Sequence, residues 1–164
     1  MPYYQNPTWG DMIAQAGHEP SLMRSSFETV PADETVAARL AIYPKDEVLR
    51  VVRLIGADGK PAIYCEDYIP YALIKKKEFT ARDLQEPIFS FLKQFCALEP
   101  HMDLTEVCPA AADAALAGIF CVPEGTPLLY LDELDYDKEG MPMLYSAQYY
   151  IGGVIRHTLL RMKF

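Results

Sequence analysis

Apolar and polar residues alternate along two separate stretches of the chain, and both stretches predict the same series of elements. Residues 32–70 and 111–150 each begin with a short amphipathic segment, pass through a Pro-containing turn into an apolar strand, and return after a Gly turn along an aromatic-rich strand. Pro44 aligns with Pro123, and the alignment of the two copies then shifts by two residues, both of which fall in the hairpin loop. Two copies are too few for a solenoid, so the repeat predicts one closed domain over residues 1–164.

The same pattern gives the order of the elements. Helices are predicted at residues 9–16, 33–40, 87–96 and 111–120, and strands at 21–30, 48–57, 62–69, 102–108, 128–136, 143–150 and 154–162. The Asp58-Gly59 pair marks a hairpin turn, because glycine tolerates the positive φ that such a turn needs. Strands outnumber helices and are joined by tight turns, which predicts an α+β fold with a mostly antiparallel sheet and helices packed on it.

Charge and hydropathy limit the classes of partner. The chain has 15 basic and 23 acidic side chains and a net charge of −8, which disfavours direct contact with a DNA backbone. No apolar run approaches the roughly 20 residues of a membrane span, and the N-terminus lacks the features of a signal peptide. We therefore expect no membrane partner and a cytoplasmic protein.

The chain contains no catalytic motif such as G-x-S-x-G, a P-loop or H-E-x-x-H. The histidines His18, His101 and His157 have no nucleophilic partner nearby in the sequence, and the four cysteines lack the spacing of zinc ligands. We expect no enzyme activity, no cofactor and no metal.

Aromatic residues are concentrated on the second strand of each predicted hairpin. The tyrosines concerned are Tyr64, Tyr68, Tyr145, Tyr149 and Tyr150. Tyrosines that face inward suit a small-molecule pocket, since the ring gives apolar contact and the hydroxyl orients the ligand. Packing within the sheet or at a subunit interface is the alternative, and the residues alone leave both open.

An ordered set of turns covers about residues 7–162. It comprises Trp9 with Gly17-His18-Glu19-Pro20, Ala41 to Asp46, the hairpin Val51 to Pro70, Val122 to Leu129, and Glu139 to Gly152. This set resembles the UTRA domain, the effector-binding half of HutC-type regulators in the GntR superfamily. The resemblance implies a chorismate-lyase-like fold with a six-stranded antiparallel core and an internal two-fold repeat, and a homodimer. It also implies that DNA is read by an N-terminal winged helix-turn-helix with no counterpart here, so we expect Met1 to open a truncated chain.

The resemblance further implies a pocket. In relatives that sense sugar phosphates, the pocket combines the start of the first helix, two arginines on the first hairpin strand, and acidic, serine and tyrosine side chains on the second strands. Carried over by the turns, the effector-binding positions are Thr8, Trp9, Gly10, Arg53, Ile55, Cys65, Leu144, Gln148 and Tyr150. Backbone amides at the start of the helix would add an anion-binding element.

Three of these positions depart from the sugar-phosphate pattern. Ile55 replaces an arginine, and Cys65 and Leu144 replace acids, so a single guanidinium remains. We therefore expect an effector that is a carboxylate or an apolar or aromatic metabolite, and not a sugar phosphate. Glu66 and Asp67 are expected to face solvent.

Several alternatives remain open at this point. Arg53 either contacts the effector or pairs with Asp132, at the matching position of the repeat, and Cys65 either faces the effector or is inert core. The leading interpretation is an effector-sensing and dimerisation domain that alters DNA binding by the missing domain. A chorismate-lyase-like enzyme acting on a small aromatic acid and a domain that only dimerises are the alternatives.

Overall fold

One antiparallel sheet forms the centre of the protein in the computed structural model, which describes residues 8–158 and 161. Within that range its six strands are β1 (Pro20–Pro31), β2 (Glu47–Ala57), β3 (Lys60–Pro70), β4 (Met102–Ala111), β5 (Pro127–Tyr136) and β6 (Pro142–Ile151). Their order in the sheet is β1-β2-β3-β6-β5-β4, and every neighbouring pair is antiparallel. The predicted α+β class and its six-stranded antiparallel core are confirmed.

Helices cover both faces of the sheet. They are α1 (Trp9–Gln15), α2 (Glu34–Leu40), α3 (Ile88–Phe91, continued by a π-helical turn at Leu92–Cys96) and α4 (Ala114–Phe120). Successive residues of a strand point to opposite faces, so odd-numbered residues of β2, such as Leu49 and Val51, contact the α3 region, while Val48 contacts α2. We call the side under α1 and α3 the cavity face and the side under α2 and α4 the tyrosine face.

The internal repeat is visible in backbone hydrogen bonds. Two bonds that recur are Ala32 N–H to the Asp46 carbonyl at 2.8 Å and Ala112 N–H to the Thr126 carbonyl at 2.9 Å. Ala32 therefore corresponds to Ala112, and the predicted alignment of Pro44 with Pro123 is wrong by one residue. Short turns of this kind tolerate such a shift, which is why sequence identity alone misplaced it.

The corrected alignment changes which residues are equivalent on β2 and β5. Arg53 lies seven residues after Asp46, and Glu133 lies seven residues after Thr126, the two residues whose carbonyls accept the recurring bond. Arg53 therefore corresponds to Glu133 and not to Asp132. Arg53 lies opposite Cys65, 12 residues further on, and Glu133 lies opposite Ser146, 13 residues further on. The second hairpin therefore carries one extra residue instead of the predicted two.

Two predicted elements differ in the structure. The described residues of the predicted strand Val154–Met162 form a turn and irregular chain, because β6 already has β3 on one side and β5 on the other. Residues 159, 160 and 162 of that prediction lie outside the described part of the chain. The predicted helix at 111–120 begins only at Ala114, because Ala111 still belongs to β4.

The two equivalent helices α2 and α4 begin with the same cap. Asp33 accepts a hydrogen bond from the Val36 amide at 2.8 Å, and Asp113 accepts one from the Leu116 amide at 2.8 Å. We expect Asp33→Ala and Asp113→Ala each to lower the free energy of unfolding by about 1 kcal/mol, because a helix amide loses its partner. Urea denaturation measures this, with Glu34→Ala in the same helix turn as the control. An Asp33→Ala or Asp113→Ala protein as stable as the control would contradict the assignment.

Candidate functional site

A cavity of about 450 Å³ lies between the cavity face of the sheet and the covering segments that include α1 and α3. Eight of the nine predicted effector-binding residues line it, namely Thr8, Trp9, Gly10, Arg53, Ile55, Leu144, Gln148 and Tyr150. The ninth, Cys65, is fully buried and contacts Asp67 Oδ1 with its Sγ at 3.4 Å. Burial raises the pKa of the Cys65 thiol well above its usual range, so it behaves as a neutral core side chain.

Arg53 is the cation at the centre of this cavity. It is 2% exposed, and its Cζ lies 5.5 Å from the centroid of the Trp9 ring. Its Nη2 lies 3.9 Å from Asp67 Oδ2, which is an ion-pair distance but too long for a hydrogen bond. Within the described residues, Nε and Nη2 have no hydrogen-bond partner. Buried donors without partners are costly, so this guanidinium is suited to an additional acceptor.

The alternative pairing of Arg53 with Asp132 is wrong. Asp132 lies on the tyrosine face, where its Oδ1 is 3.2 Å from Arg39 Nη2 and its Oδ2 accepts a hydrogen bond from the Tyr145 hydroxyl at 2.9 Å. The one-residue error in the repeat alignment accounts for this, since adjacent residues of a strand point to opposite faces.

Asp67 is a cavity residue that the sequence analysis placed in solvent. It is 1% exposed, and its Oδ1 accepts hydrogen bonds from the Ser146 hydroxyl and the Cys65 thiol. Its Oδ2 has no hydrogen-bond partner among the described residues. Burial raises the pKa of Asp67, and the charge of Arg53 partly offsets that rise. Its position two residues after Cys65 on β3 is the signal that was available, because such residues share a face.

Further acids on β4 and β5 complete an acidic side of the cavity. Asp103 and Glu133 line it, and Asp135 is fully buried beside them, with neither carboxyl oxygen hydrogen-bonded within the described part of the chain. Burial and mutual repulsion raise the pKa of Glu133 to about 6 and that of Asp135 to about 8. The inference that the pocket has lost its acidic groups is therefore wrong.

Four of the five singled-out tyrosines lie on the tyrosine face, away from the cavity. Tyr64 and Tyr68 donate hydrogen bonds to Glu66 at 2.7 and 2.6 Å, and Arg50 Nη2 contacts the same carboxylate at 2.9 Å. Glu66 is thus half-buried in a paired network and does not face open solvent. Only Tyr150 of the set reaches the cavity, where its hydroxyl donates to Gln148 Oε1 at 2.5 Å.

The start of α1 is less open to an anion than its sequence suggests. Thr8 and Asp11 form a capping box, in which the Asp11 amide donates to Thr8 Oγ1 at 3.1 Å and the Thr8 amide donates to the Asp11 carboxylate at 3.0 Å. The box uses the Asp11 amide and places the Asp11 carboxylate at the start of the helix, where an anion was expected to bind. Trp9 therefore contributes through its ring, over Arg53.

His157 is a cavity residue that the sequence analysis missed, because its segment was predicted to be a strand. Its ring packs edge-on against Tyr150 with the centroids 4.5 Å apart. Burial lowers the pKa of His157, so this imidazole is neutral at pH 7 and adds no positive charge.

Solved structures of GntR-family transcriptional regulators share this fold. PhnF from Mycobacterium smegmatis aligns with a TM-score of 0.81 and 18% identity, over 98% of this chain and 71% of that chain. A GntR-family regulator from Enterococcus faecalis V583 aligns with a TM-score of 0.76 and 18% identity, over 87% of this chain and all of that one. The architecture is therefore one that GntR-family transcriptional regulators contain.

Sequence comparison gives the family directly. The UTRA domain profile matches residues 15–155, so the chain belongs to the UTRA domain family, as its turns predicted. The mannosyl-D-glycerate transport/metabolism system repressor MngR of Escherichia coli K12 is 22% identical over 137 residues, which are 84% of this chain. This chain spans 56% of the length of that repressor. Among the described residues no helix is long and apolar enough to cross a membrane.

Asp135 gives the domain a defined pH dependence. Its pKa is raised to about 8 in the folded state from 3.8, so the stability that its protonated form contributes is complete below pH 4 and is lost as the pH rises through 8. We expect Asp135→Asn to be more stable than the wild type at pH 9 by about 1 kcal/mol or more, and the difference to shrink at pH 5. Urea denaturation at the two pH values measures this, with exposed Glu124→Gln as the control. A pH-independent difference would contradict the assignment.

Proposed function

We propose that this domain senses a small organic acid and passes the binding event to a DNA-reading domain of the same regulator. The observation that supports this most directly is Arg53, a guanidinium 2% exposed in a cavity of about 450 Å³ with unpaired donors. A carboxylate accepts two parallel hydrogen bonds from such a group. Trp9 stacks over the guanidinium and closes one side.

The charges of the cavity favour a carboxylate over a sugar phosphate. Arg53 carries the cavity's positive charge among the described residues, and Asp67, Asp103 and Glu133 add carboxyl groups. A phosphate dianion would need more than one guanidinium, and its double charge would be repelled by these acids more strongly than the single charge of a carboxylate, which one guanidinium can pair.

The remaining wall suits an apolar or aromatic body on the effector. Ile55, Leu131, Leu144 and Phe89 line the cavity together with Trp9. Apolar burial contributes roughly 25 cal/mol per Å² of surface removed from water, so this wall provides affinity while Arg53 provides orientation.

Effector binding would act on DNA through a separate domain. The net charge of −8 disfavours direct DNA contact by this chain, and the similar protein MngR is a repressor nearly twice as long as the aligned region. A coupling free energy of about 1–3 kcal/mol between the two sites would be typical of such regulators.

The two alternative functions differ in their support. Glu133, with its raised pKa, supplies a protonatable acid in the same cavity as Arg53, and a lyase acting on an aromatic acid would use such a group. Membership of the UTRA domain family favours the sensor. A domain that only dimerises would have no use for a cavity with unpaired buried charges.

The proposed carboxylate site can be tested with Arg53→Met. We expect 3-phenylpropionate or 4-hydroxybenzoate to raise the melting temperature of the wild type, glucose 6-phosphate to leave it unchanged, and Arg53→Met to remove the shift, because the acid loses its cation. Arg50→Gln, which changes an arginine of the same strand on the tyrosine face, serves as the control. The proposal would be refuted if glucose 6-phosphate raised the melting temperature and neither organic acid changed it.

We also propose that two copies associate along the free edge of β4. Met102, Leu104 and Val107 on this edge are 53%, 56% and 62% exposed, and an unpaired strand edge can pair with its equivalent. We expect Leu104→Lys with Val107→Lys to convert a dimer into a monomer in light scattering coupled to size-exclusion chromatography. Tyr43→Lys, at an exposed site on the α2–β2 turn, is the control. A double variant that stays dimeric would place the interface elsewhere.

A further inference from the structure

Two buried groups of opposite charge face each other in the cavity without forming a hydrogen bond. Arg53 Nη2 and Asp67 Oδ2 are 3.9 Å apart, and neither atom has a hydrogen-bond partner within the described residues. The two side chains are 2% and 1% exposed. The attraction between two buried charges offsets the free energy of their desolvation only when both are also well hydrogen-bonded. This pair is therefore incomplete as it stands.

The acidic groups exceed the cationic ones on this face. Asp67, Asp103 and Glu133 line the cavity together with the guanidinium of Arg53. Asp135 is buried beside them, but its raised pKa of about 8 keeps it uncharged at pH 7. The cavity therefore needs a positive charge as well as a negative one.

The internal repeat divides these charges between its two halves. Arg53 on β2 corresponds to Glu133 on β5, and Ile55 corresponds to Asp135 by the same alignment. Equivalent positions thus present a cation in one copy and carboxyls in the other. A ligand in the cavity therefore meets both signs of charge.

We propose that the effector is a zwitterion of the amino acid class, with its carboxylate at Arg53 and its protonated amine at the carboxyl groups of Asp67 and Glu133. This rests on the proposed sensing of an organic acid and names the second polar group of that acid. A free amino acid carries both charges on adjacent groups, as the neighbouring Arg53 and Asp67 require. Its side chain would lie against the apolar wall of Ile55 and Leu131.

Other partners for the acidic groups satisfy the geometry less well. A sugar hydroxyl would donate a hydrogen bond but would leave the excess negative charge uncompensated. A metal ion would need converging ligands, and no group of three or more suitable side chains converges within residues 8–158. An ammonium group donates three hydrogen bonds and carries the missing charge.

The titration of the acids supports an amine in this position. Burial and mutual repulsion raise the pKa values of Asp67, Glu133 and Asp135, and the nearby Asp103 contributes to the repulsion. The other charged or titratable groups that line the cavity among the described residues are Arg53, Tyr150 and a neutral His157. The thiols of Cys65 and Cys96 are buried on the same face and are neutral. Binding an ammonium group favours ionised carboxyls, so it should release protons to the solvent near pH 7.

The test uses matched sets of small molecules and the intact domain. The proteinogenic L-amino acids are screened by thermal shift, each beside its des-amino acid and its decarboxylated amine, with glucose 6-phosphate included. L-phenylalanine, 3-phenylpropionate and 2-phenylethylamine form one such set. We expect at least one zwitterion to bind about tenfold more tightly in calorimetry than either of its two counterparts, because each of those lacks one charged hydrogen bond.

The variant Glu133→Gln separates recognition of the amine from a structural role. We expect it to lower the affinity for the zwitterion about tenfold and to leave that for the des-amino acid unchanged, since only the amine contacts this carboxyl group. Glu106→Gln, which removes a β4 carboxyl group on the tyrosine face, should change neither. Binding of the zwitterion is measured by calorimetry at pH 7 in phosphate and in Tris buffer, and the difference in heat gives the number of protons released. We expect the wild type to release protons on binding and Glu133→Gln to release fewer.

The outcomes distinguish this inference from the proposed function. If the des-amino acid binds as tightly as its zwitterion, the inference is overturned and the sensing of organic acids stands. If glucose 6-phosphate alone binds, or if no probe binds, both are overturned. If Glu133→Gln lowers the affinity for the zwitterion and for the des-amino acid equally, this residue only supports the fold. That result would overturn its assigned contact with the amine.

Discussion

The incomplete ion pair between Arg53 and Asp67 is the constraint on which the rest of the cavity depends. Both side chains project from central strands of the sheet into a space with little access to water. Charges in such a place are tolerated when neighbours hold them, and here Ser146 and Cys65 hold one oxygen of Asp67 while Trp9 covers Arg53. Burying Arg53 and Asp67 with unsatisfied polar atoms lowers the stability of the fold, and such a cost is typical of a binding site.

The repeat explains how a symmetric frame carries an asymmetric site. Each copy contributes a capped helix and a hairpin, and the two hairpins meet where β3 pairs with β6. Backbone geometry is conserved between the copies, including the bulge near the end of β2 and of β5. Side chains at equivalent positions are free to differ, so Arg53 and Glu133 bring groups of opposite charge to one cavity.

The sequence predicted the fold well because turns and alternation are local signals. Hairpin turns, capping residues and apolar alternation located all six strands of the described range within a few residues. The resemblance to the UTRA domain supplied the nine effector-binding positions, eight of which line the cavity. The chemistry of the cavity was predicted less well, since a shift of one residue moves a side chain to the opposite face. Asp132 and Glu133, or Glu66 and Asp67, cannot be told apart by alignment of turns. Cross-strand registers decide between them.

The cavity also lies at the boundary between two apolar clusters on its face of the sheet. Leu144 belongs to the cluster around α3, while Ile55 and Leu131 belong to the cluster around Ile13 of α1. All three of these strand residues line the cavity. The sheet joins the two clusters at the floor of the cavity, and the cavity itself separates them above the sheet. A ligand with an apolar body would contact both clusters at once while its charged groups meet Arg53 and the acids. Under this proposal, filling the cavity and pairing the charges would be one event, and it would stabilise the contact of α1 and α3 with the same sheet.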